Sequence, residues 1–278
     1  MIKLWKDGIP MELTSLKNPK VKHACALRDR RERDREGVTI LEGYRELTRA
    51  HAAGIRIRET FYCREMFMGE NNDTLLDTLR AAGSDLYECS AEVLRKLAYR
   101  ERPEGLIAVA EMRRKGLDEI PAKPDGLYLV AETIEKPGNL GSILRSADAV
   151  GATAVIVCNK QTDIFNPNVI RASTGAIFSV PLAETTSEEA LAWLKGLGIK
   201  TLAATPHTDL YHTDVDMKQG VAIVVGAEQY GLSDYWMNSA DLQVLIPMLG
   251  KMDSLNVATA ATILLYEAAR QRDWKPSI

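Results

Sequence analysis

GLYLVAETIEKPGNLGSILRSADAVGATAVIV, residues 126–157, reads as strand, turn, helix and strand in succession. Gly126 to Ala131 and Ala154 to Val157 are short, nearly continuous apolar runs, and residues 139–150 between them read as a helix. Asn139 stands where that helix would start, and asparagine is a good N-cap. The alternation recurs downstream. Strands are expected at Lys200 to Ala204, Val221 to Val225 and Val244 to Ile246, with helices near 166–175, 187–196 and 232–239. Asn256 to Gln271 closes the chain as a patterned helix. Apolar strands separated by helices imply an α/β fold with a parallel sheet covered on both faces. Such sheets bind ligands at the C-terminal ends of their strands.

Upstream, Arg113-Arg114-Lys115-Gly116 is followed by Pro121, Pro124 and Asp125-Gly126, which is linker chemistry. The expected organisation is a domain over 1–115, a linker over 116–125 and a second domain over 126–278. The first domain reads as a smaller α/β unit. Helices are expected at 18–33, 42–53, Thr74 to Ala82 and Ala91 to Leu97, the last capped by Ser90. Strands are expected at Thr60 to Cys63, Leu86 to Cys89 and Leu106 to Ala110.

The 278 residues carry a net charge of −3, which alone argues against a nucleic-acid binder. The distribution says more. Residues 1–115 hold 23 Lys+Arg against 19 Asp+Glu, and residues 116–278 hold 12 against 19. Such asymmetry gives the two halves different tasks. Lys17 to Arg35 is the densest basic stretch. It reads either as a solvated helix with paired charges or as a phosphate-contacting surface. Cys25, Cys63, Cys89 and Cys158 lie far apart, so no zinc or redox pair is expected and buried thiols in a reducing cytosol are. No apolar run reaches the ~20 residues of a membrane helix, and Met1 to Glu12 lacks the apolar stretch of a secretory signal.

Four clusters of polar residues and glycines follow the expected strands. Asn139 and Arg145 lie on a helix otherwise filled with small and apolar residues, where Asp148, one turn on, is a candidate partner for the arginine. Asn166-Pro167 precedes Arg171, with an N-cap and first-turn proline in sequence. Val224-Val225-Gly226-Ala227-Glu228 breaks from a buried strand into a glycine-flanked turn, and Gly226 allows a ligand close to the backbone. Ile246-Pro247-Met248 precedes Ser254-Leu255-Asn256, where Ser254 or Asn256 caps the last helix. G-x-G-x-x-G, G-x-x-x-x-G-K-[ST] and H-E-x-x-H are all absent. His207 and His212 read as surface histidines.

Taken in order and spacing, these clusters resemble the SpoU/TrmH family of RNA 2′-O-ribose methyltransferases, of the SPOUT class. The carriers are Asn139 and Arg145; Asn166-Pro167 with Arg171-Ala172-Ser173 and Gly175-Ala176; Gly226, Glu228 and Gly231-Leu232-Ser233; and Ile246-Pro247-Met248, Gly250 and Ser254-Leu255-Asn256-Val257-Ala258. Thr14-Ser15, Asn18-Pro19, Val21-Lys22 and Leu41-Glu42-Gly43 resemble the family's L30e-like RNA-binding domain. Ala227 and Ala258 depart from the commoner Asn and Ser.

The resemblance implies a trefoil-knotted C-terminal domain, a homodimer in the cytoplasm, and S-adenosylmethionine as methyl donor. By matching motif positions it places Thr205, Gly226, Ile246, Met248 and Leu255 at the donor. Asn139, Arg145, Glu228, Ser254 and Asn256 take the substrate and catalytic positions. Lys17, Asn18, Lys20, Lys22, Arg28 and Arg171 are the expected RNA contacts. A guanidinium stays protonated, so Arg145 is expected to act as a cation on the adjacent phosphate and the developing alkoxide. The implied substrate is 23S (large-subunit) ribosomal RNA. Transfer RNA, a non-catalytic ribosome-assembly protein of the same fold and a nucleotide-dependent α/β enzyme are the alternatives, and the missing phosphate loop counts against the last.

Overall fold

The computed structural model describes residues 12–276 and the backbone of Trp5–Lys6 and Ile9–Pro10. The expectation about a leader at Met1 to Glu12 thus falls almost wholly outside the described residues. The chain divides into two compact units, Met1–Arg113 with Phe165–Gly175, and Arg114–Ile164 with Ala176–Ile278.

In the first unit, β1 (Trp5–Lys6) and β2 (Ile9–Pro10) pair antiparallel. The single helix expected over 18–33 is two. Asn18 caps α1 (Pro19–Ala26), which ends at Leu27. The Asp29 side chain then accepts from the Arg31 N–H to start α2 (Arg30–Glu36). The rest is β3 (Val38–Glu42), α3 (Tyr44–Ala52), β4 (Ile57–Tyr62), α4 (Asn72–Ala81), β5 (Asp85–Glu88), α5 (Ala91–Leu97) and β6 (Leu106–Glu111). The sheet order is β3-β6-β4-β5, with β6 antiparallel to β3 and β4, and β4 parallel to β5. β3 was not expected, because all five of its residues are buried, Thr39 and Glu42 included, and no alternation marks it. Leu27, Val38, Ile40, Phe61, Leu94 and Ile107 belong to the core.

The second unit opens with the stretch expected as a linker, and that stretch is packed. Ile120 is buried in the core with Tyr128, Val130 and Leu194. The Tyr128 hydroxyl donates to the Pro121 carbonyl at 2.9 Å and accepts from the Lys123 N–H at 2.8 Å. A Cβ on Gly220 would lie 2.0 Å from the Pro124 carbonyl oxygen, so only glycine fits against this strap. The prolines here mark changes of direction in a bound segment.

β7 (Leu127–Glu132), α6 (Pro137–Ala149) and β8 (Ala154–Cys158) follow. Asn139 is not the N-cap of α6. Lys136 holds that position and Pro137 the first turn, which leaves the Asn139 side chain free for other work. α7 (Pro167–Ala172) is capped by Asn166 as expected, but it packs with the first unit. The Thr39 hydroxyl donates to the Phe165 carbonyl at 2.8 Å and the Arg49 guanidinium to the Thr174 carbonyl at 3.0 Å. The chain goes on through β9 (Leu182–Thr185), α8 (Ser187–Gly196), β10 (Lys200–Ala204), β11 (Val221–Val225), α9 (Asp234–Ser239), β12 (Leu242–Val244) and α10 (Val257–Gln271). β9 was missed because only two of its four residues are apolar. β12 ends at Val244, two residues short of the expected Ile246.

All six strands of this unit are parallel, in the order β12-β10-β11-β7-β8-β9. From β7 the chain winds outward through β8 and β9, then returns to build the other side. Strand order therefore reverses between β7 and β11, the place where sheets of this kind commonly bind ligands beyond the strands' C-terminal ends. α10 packs on α6, β7 and β11, with the Ser146 and Thr262 hydroxyls 2.7 Å apart. Among the described residues, no helix is long and apolar enough to cross a membrane.

If residues 116–125 were a free linker, Ile120→Ala would leave stability unchanged. The packed strap predicts a loss of about 2–5 kcal/mol, the usual range for emptying a buried isoleucine site, read by urea unfolding of the full chain.

Candidate active site

The loops after β10, β11 and β12 enclose a cavity of about 400 Å³. That lies within the range of small-molecule sites. Thr205, Gly226, Ile246, Met248 and Leu255, the five expected donor residues, all line it, and so do Glu228 and Ser254. Its wall is mostly apolar side chain and backbone. A Cβ on Gly226 would stand 2.3 Å from the Gly231 carbonyl oxygen. The turn closes on itself there, with the Gly231 N–H donating to the Ala227 carbonyl at 2.9 Å and Gly231 at φ +69°. The spacing of Gly226 and Gly231 thus has a steric cause on both sides.

Beside the cavity, the side chains of Asn256, Asn139, Glu228 and Lys136 meet. Asn256 caps α10, its Oδ1 accepting from the Ala258 N–H at 3.0 Å and the Thr259 N–H at 3.4 Å. Its Nδ2 donates to Asn139 Oδ1 at 3.1 Å and to Glu228 Oε1. Lys136 Nζ donates to the other oxygen of Glu228. Hydrogen bonding from Lys136, then from Asn139 and Asn256, holds the Glu228 carboxyl below the usual carboxylate range, so it is ionised at neutral pH. Arg145 lies further along α6, exposed, and is not part of the cavity wall. Its expected partner is otherwise engaged, since Asp148 accepts from the Ser179 hydroxyl at 2.7 Å. No group among the described residues pairs with Arg145, which leaves its charge available.

Lys136 was not anticipated from sequence, where it reads as an ordinary surface lysine before a proline. Glu132 was also passed over, although an acid closing an otherwise apolar strand was a usable signal. The thiols of Cys63, Cys89 and Cys158 are buried, and burial pushes those of Cys89 and Cys158 up to about 12.

The SpoU rRNA Methylase family matches residues 126–266, and the MRM3-like substrate binding domain matches residues 18–108. The chain belongs to the SpoU rRNA methylase family. It is 35% identical over 253 residues to a 23S rRNA (uridine(2479)-2′-O)-methyltransferase of Streptomyces viridochromogenes, covering 88% of this chain and 87% of that one. A crystal structure of an RNA 2′-O ribose methyltransferase superposes with TM-score 0.83 at 43% identity, covering 94% of this chain and 99% of that one. The AdoMet-bound rRNA methyltransferase of Sinorhizobium meliloti does so with TM-score 0.85 at 30% identity, covering 94% and 97%.

In this SpoU methylase, half of the six expected RNA contacts have work inside the protein. Asn18 caps α1 through the Lys20 N–H, and Lys20 pairs with Glu59. Arg28 donates to the carbonyls of Lys96 and Ala98, at 2.9 and 2.8 Å, and lies over the Tyr99 ring. The likeness to a phosphate-binding run therefore arises partly from helix caps. Lys17 and Lys22 are exposed and Arg171 is half-buried, and none of the three has an ion-pair partner among the described residues.

Lys136→Met removes the cation that contributes most to lowering the Glu228 carboxyl below its ordinary range. The Glu228 carboxyl should then titrate at higher pH, toward the ordinary carboxylate value, as followed by its ¹³C side-chain resonance. An unchanged titration would mean that Lys136 does not set the charge of this centre.

Proposed function

We propose that this chain transfers a methyl group from S-adenosylmethionine to a ribose 2′-hydroxyl of 23S (large-subunit) ribosomal RNA. The observation that carries the reading is the junction at Asn256, which joins a cavity of donor size to a polar, charged centre built from residues of the family's motifs. The cavity residues suit the donor. Ile246, Met248 and Leu255 offer apolar surface, and Thr205 and the backbone about Gly226 offer polar contacts. When bound, the donor supplies an electrophilic methyl on a sulfonium that departs as a neutral thioether, so positioning the hydroxyl supplies much of the rate.

The protein's part is to place and stabilise. Arg145, cationic and unpaired among the described residues, takes the phosphate next to the target ribose and the charge developing on its oxygen. Asn139, Ser254 and Asn256 orient the ribose. Glu228, held ionised, accepts a hydrogen bond from the hydroxyl and fixes its direction. A carboxylate with a depressed pKa is a weak base, so Glu228 first positions the hydroxyl and takes its proton only as the methyl–oxygen bond forms and the methyl–sulfur bond breaks. Lys17, Lys22 and Arg171 contact RNA backbone, where salt-dependent phosphate binding supplies affinity.

The same reading includes a threaded chain and a dimer. The backbone at Leu245 forms a parallel bridge with Tyr211 of the loop after β10, through Leu245 N–H to the Leu210 carbonyl at 2.9 Å and His212 N–H to the Leu245 carbonyl at 3.0 Å. A threaded chain would carry residues 245–256 past this loop. Leu249, at 98% exposure, and Met252 offer apolar surface for a second copy. A cytoplasmic site of action goes with a ribosomal substrate.

The test is transfer from labelled donor to total RNA of a strain lacking this gene. Label is expected in large-subunit RNA, with one ribose linkage made resistant to alkali. Arg145→Ala should lower the rate by about 10²–10³-fold while donor affinity stays close to that of the wild type. Label confined to tRNA would overturn the substrate, and donor binding without transfer to any RNA would overturn the activity.

A further inference from the structure

Glu132 is the last residue of β7 and is 1% exposed. Its Oε1 accepts from the hydroxyls of Ser187 and Ser233, each at 2.8 Å, and from Asn159 Nδ2 at 3.4 Å. Its Oε2 accepts from the Ser233 N–H at 2.9 Å. Ser187 in turn accepts from the indole N–H of Trp236, which is fully buried, at 2.9 Å and from Asn159 at 2.8 Å. Among the described residues no lysine or arginine pairs with this carboxylate. Neutral dipoles alone hold it. A carboxyl group is costly to bury, and an apolar or amide side chain of similar size would fill the space with less penalty. Packing therefore does not explain an acid here.

Its position does. β7 borders β11 at the reversal of strand order, where the candidate active site lies. The backbone leaving Glu132 leads to Lys136 and Asn139. The Glu132 side chain meanwhile holds Ser233, the far end of the segment that begins at Gly226 and carries Glu228. Between these ends Gln229, Tyr230 and Gly231 are exposed, and Ser233, itself exposed, ties the far end of the segment to the buried Glu132 carboxylate. Thr133 at φ +50° and Asn159 at φ +49° flank the carboxylate. Left-handed backbone is rare for a β-branched residue and persists only where the surroundings enforce it.

We propose that Glu132 is a positioning residue that fixes the Glu228 segment against the Lys136–Asn139 turn, and so governs the rate of methyl transfer rather than donor binding. The last clause rests on the function proposed above; the first does not. Glu132→Gln keeps the shape but sets an N–H against groups that are themselves donors. Ser233→Ala leaves the buried charge and removes only one hydroxyl of the anchor.

The experiment compares the full-length wild type, Glu132→Gln, Ser233→Ala and the double variant. It reads single-turnover methyl transfer per folded molecule, donor affinity by calorimetry, and the ¹³C resonance of the Glu228 carboxyl without donor or RNA. Both single variants should transfer about 10- to 100-fold more slowly, with donor affinity changed less than about threefold and the Glu228 resonance displaced. The double variant should be little worse than Glu132→Gln, as expected of groups acting through one contact. Wild-type turnover in either single variant, or an undisturbed Glu228 resonance in both, overturns the proposal. Should Glu132→Gln fail to fold, Ser233→Ala decides by the same readings. A wild type inactive on every RNA would instead sink the function, and the Glu228 resonance would still decide the positioning role.

Discussion

The side chain of Asn256 makes four hydrogen bonds to three parts of the chain. Its oxygen closes the first turn of α10, and its amide hydrogens reach Asn139 in the first turn of α6 and Glu228 after β11. Each group is modest alone, since a hydrogen bond adds about 0.5–1.5 kcal/mol net. Their convergence has the larger effect. It sets the register of α10 where that helix packs on α6, β7 and β11. It also brings the polar centre to the rim of the cavity formed by the loops after β10, β11 and β12.

That placement follows from the sheet. Parallel strands buried on both faces put their C-terminal ends on one side, and the order reverses between β7 and β11. The buried carboxylate of Glu132 and the amide of Asn256 then hold the Glu228 segment at its two sides. Gly226 and Gly231 supply the tight turn between strand and segment. Apolar burial makes the scaffold rigid, and a few satisfied polar contacts aim the reactive groups from it.

Much of this was legible in the residues. The apolar runs of β7, β8, β10 and β11 stand out because buried parallel strands are nearly continuous in apolar residues. Asn166, Ser90 and Asn256 cap helices as their chemistry suggests. The five residues expected at the donor and Glu228 line one cavity because motif spacing at strand ends carries the geometry. What escaped depends on tertiary context. β3 is wholly buried and β9 short and polar, so neither shows a period. Residues 116–125 carry the prolines of a linker, yet Ile120 is held in a core. Asn139 looks like a cap until Pro137 starts the helix earlier. Lys20 and Arg28 look like phosphate ligands until Glu59 and the end of α5 occupy them. Partners that distant in sequence leave no local trace.

The most direct test of the account is Asn256→Asp, read by thermal unfolding and by methyl transfer to ribosomal RNA. Aspartate caps a helix as well as asparagine does, so α10 should keep its stability. It has no N–H for Asn139 or Glu228, and it sets a second negative charge beside the first. The account predicts an unfolding midpoint close to that of the wild type with transfer slowed about 100-fold or more. Transfer at the wild-type rate by the folded variant would contradict it.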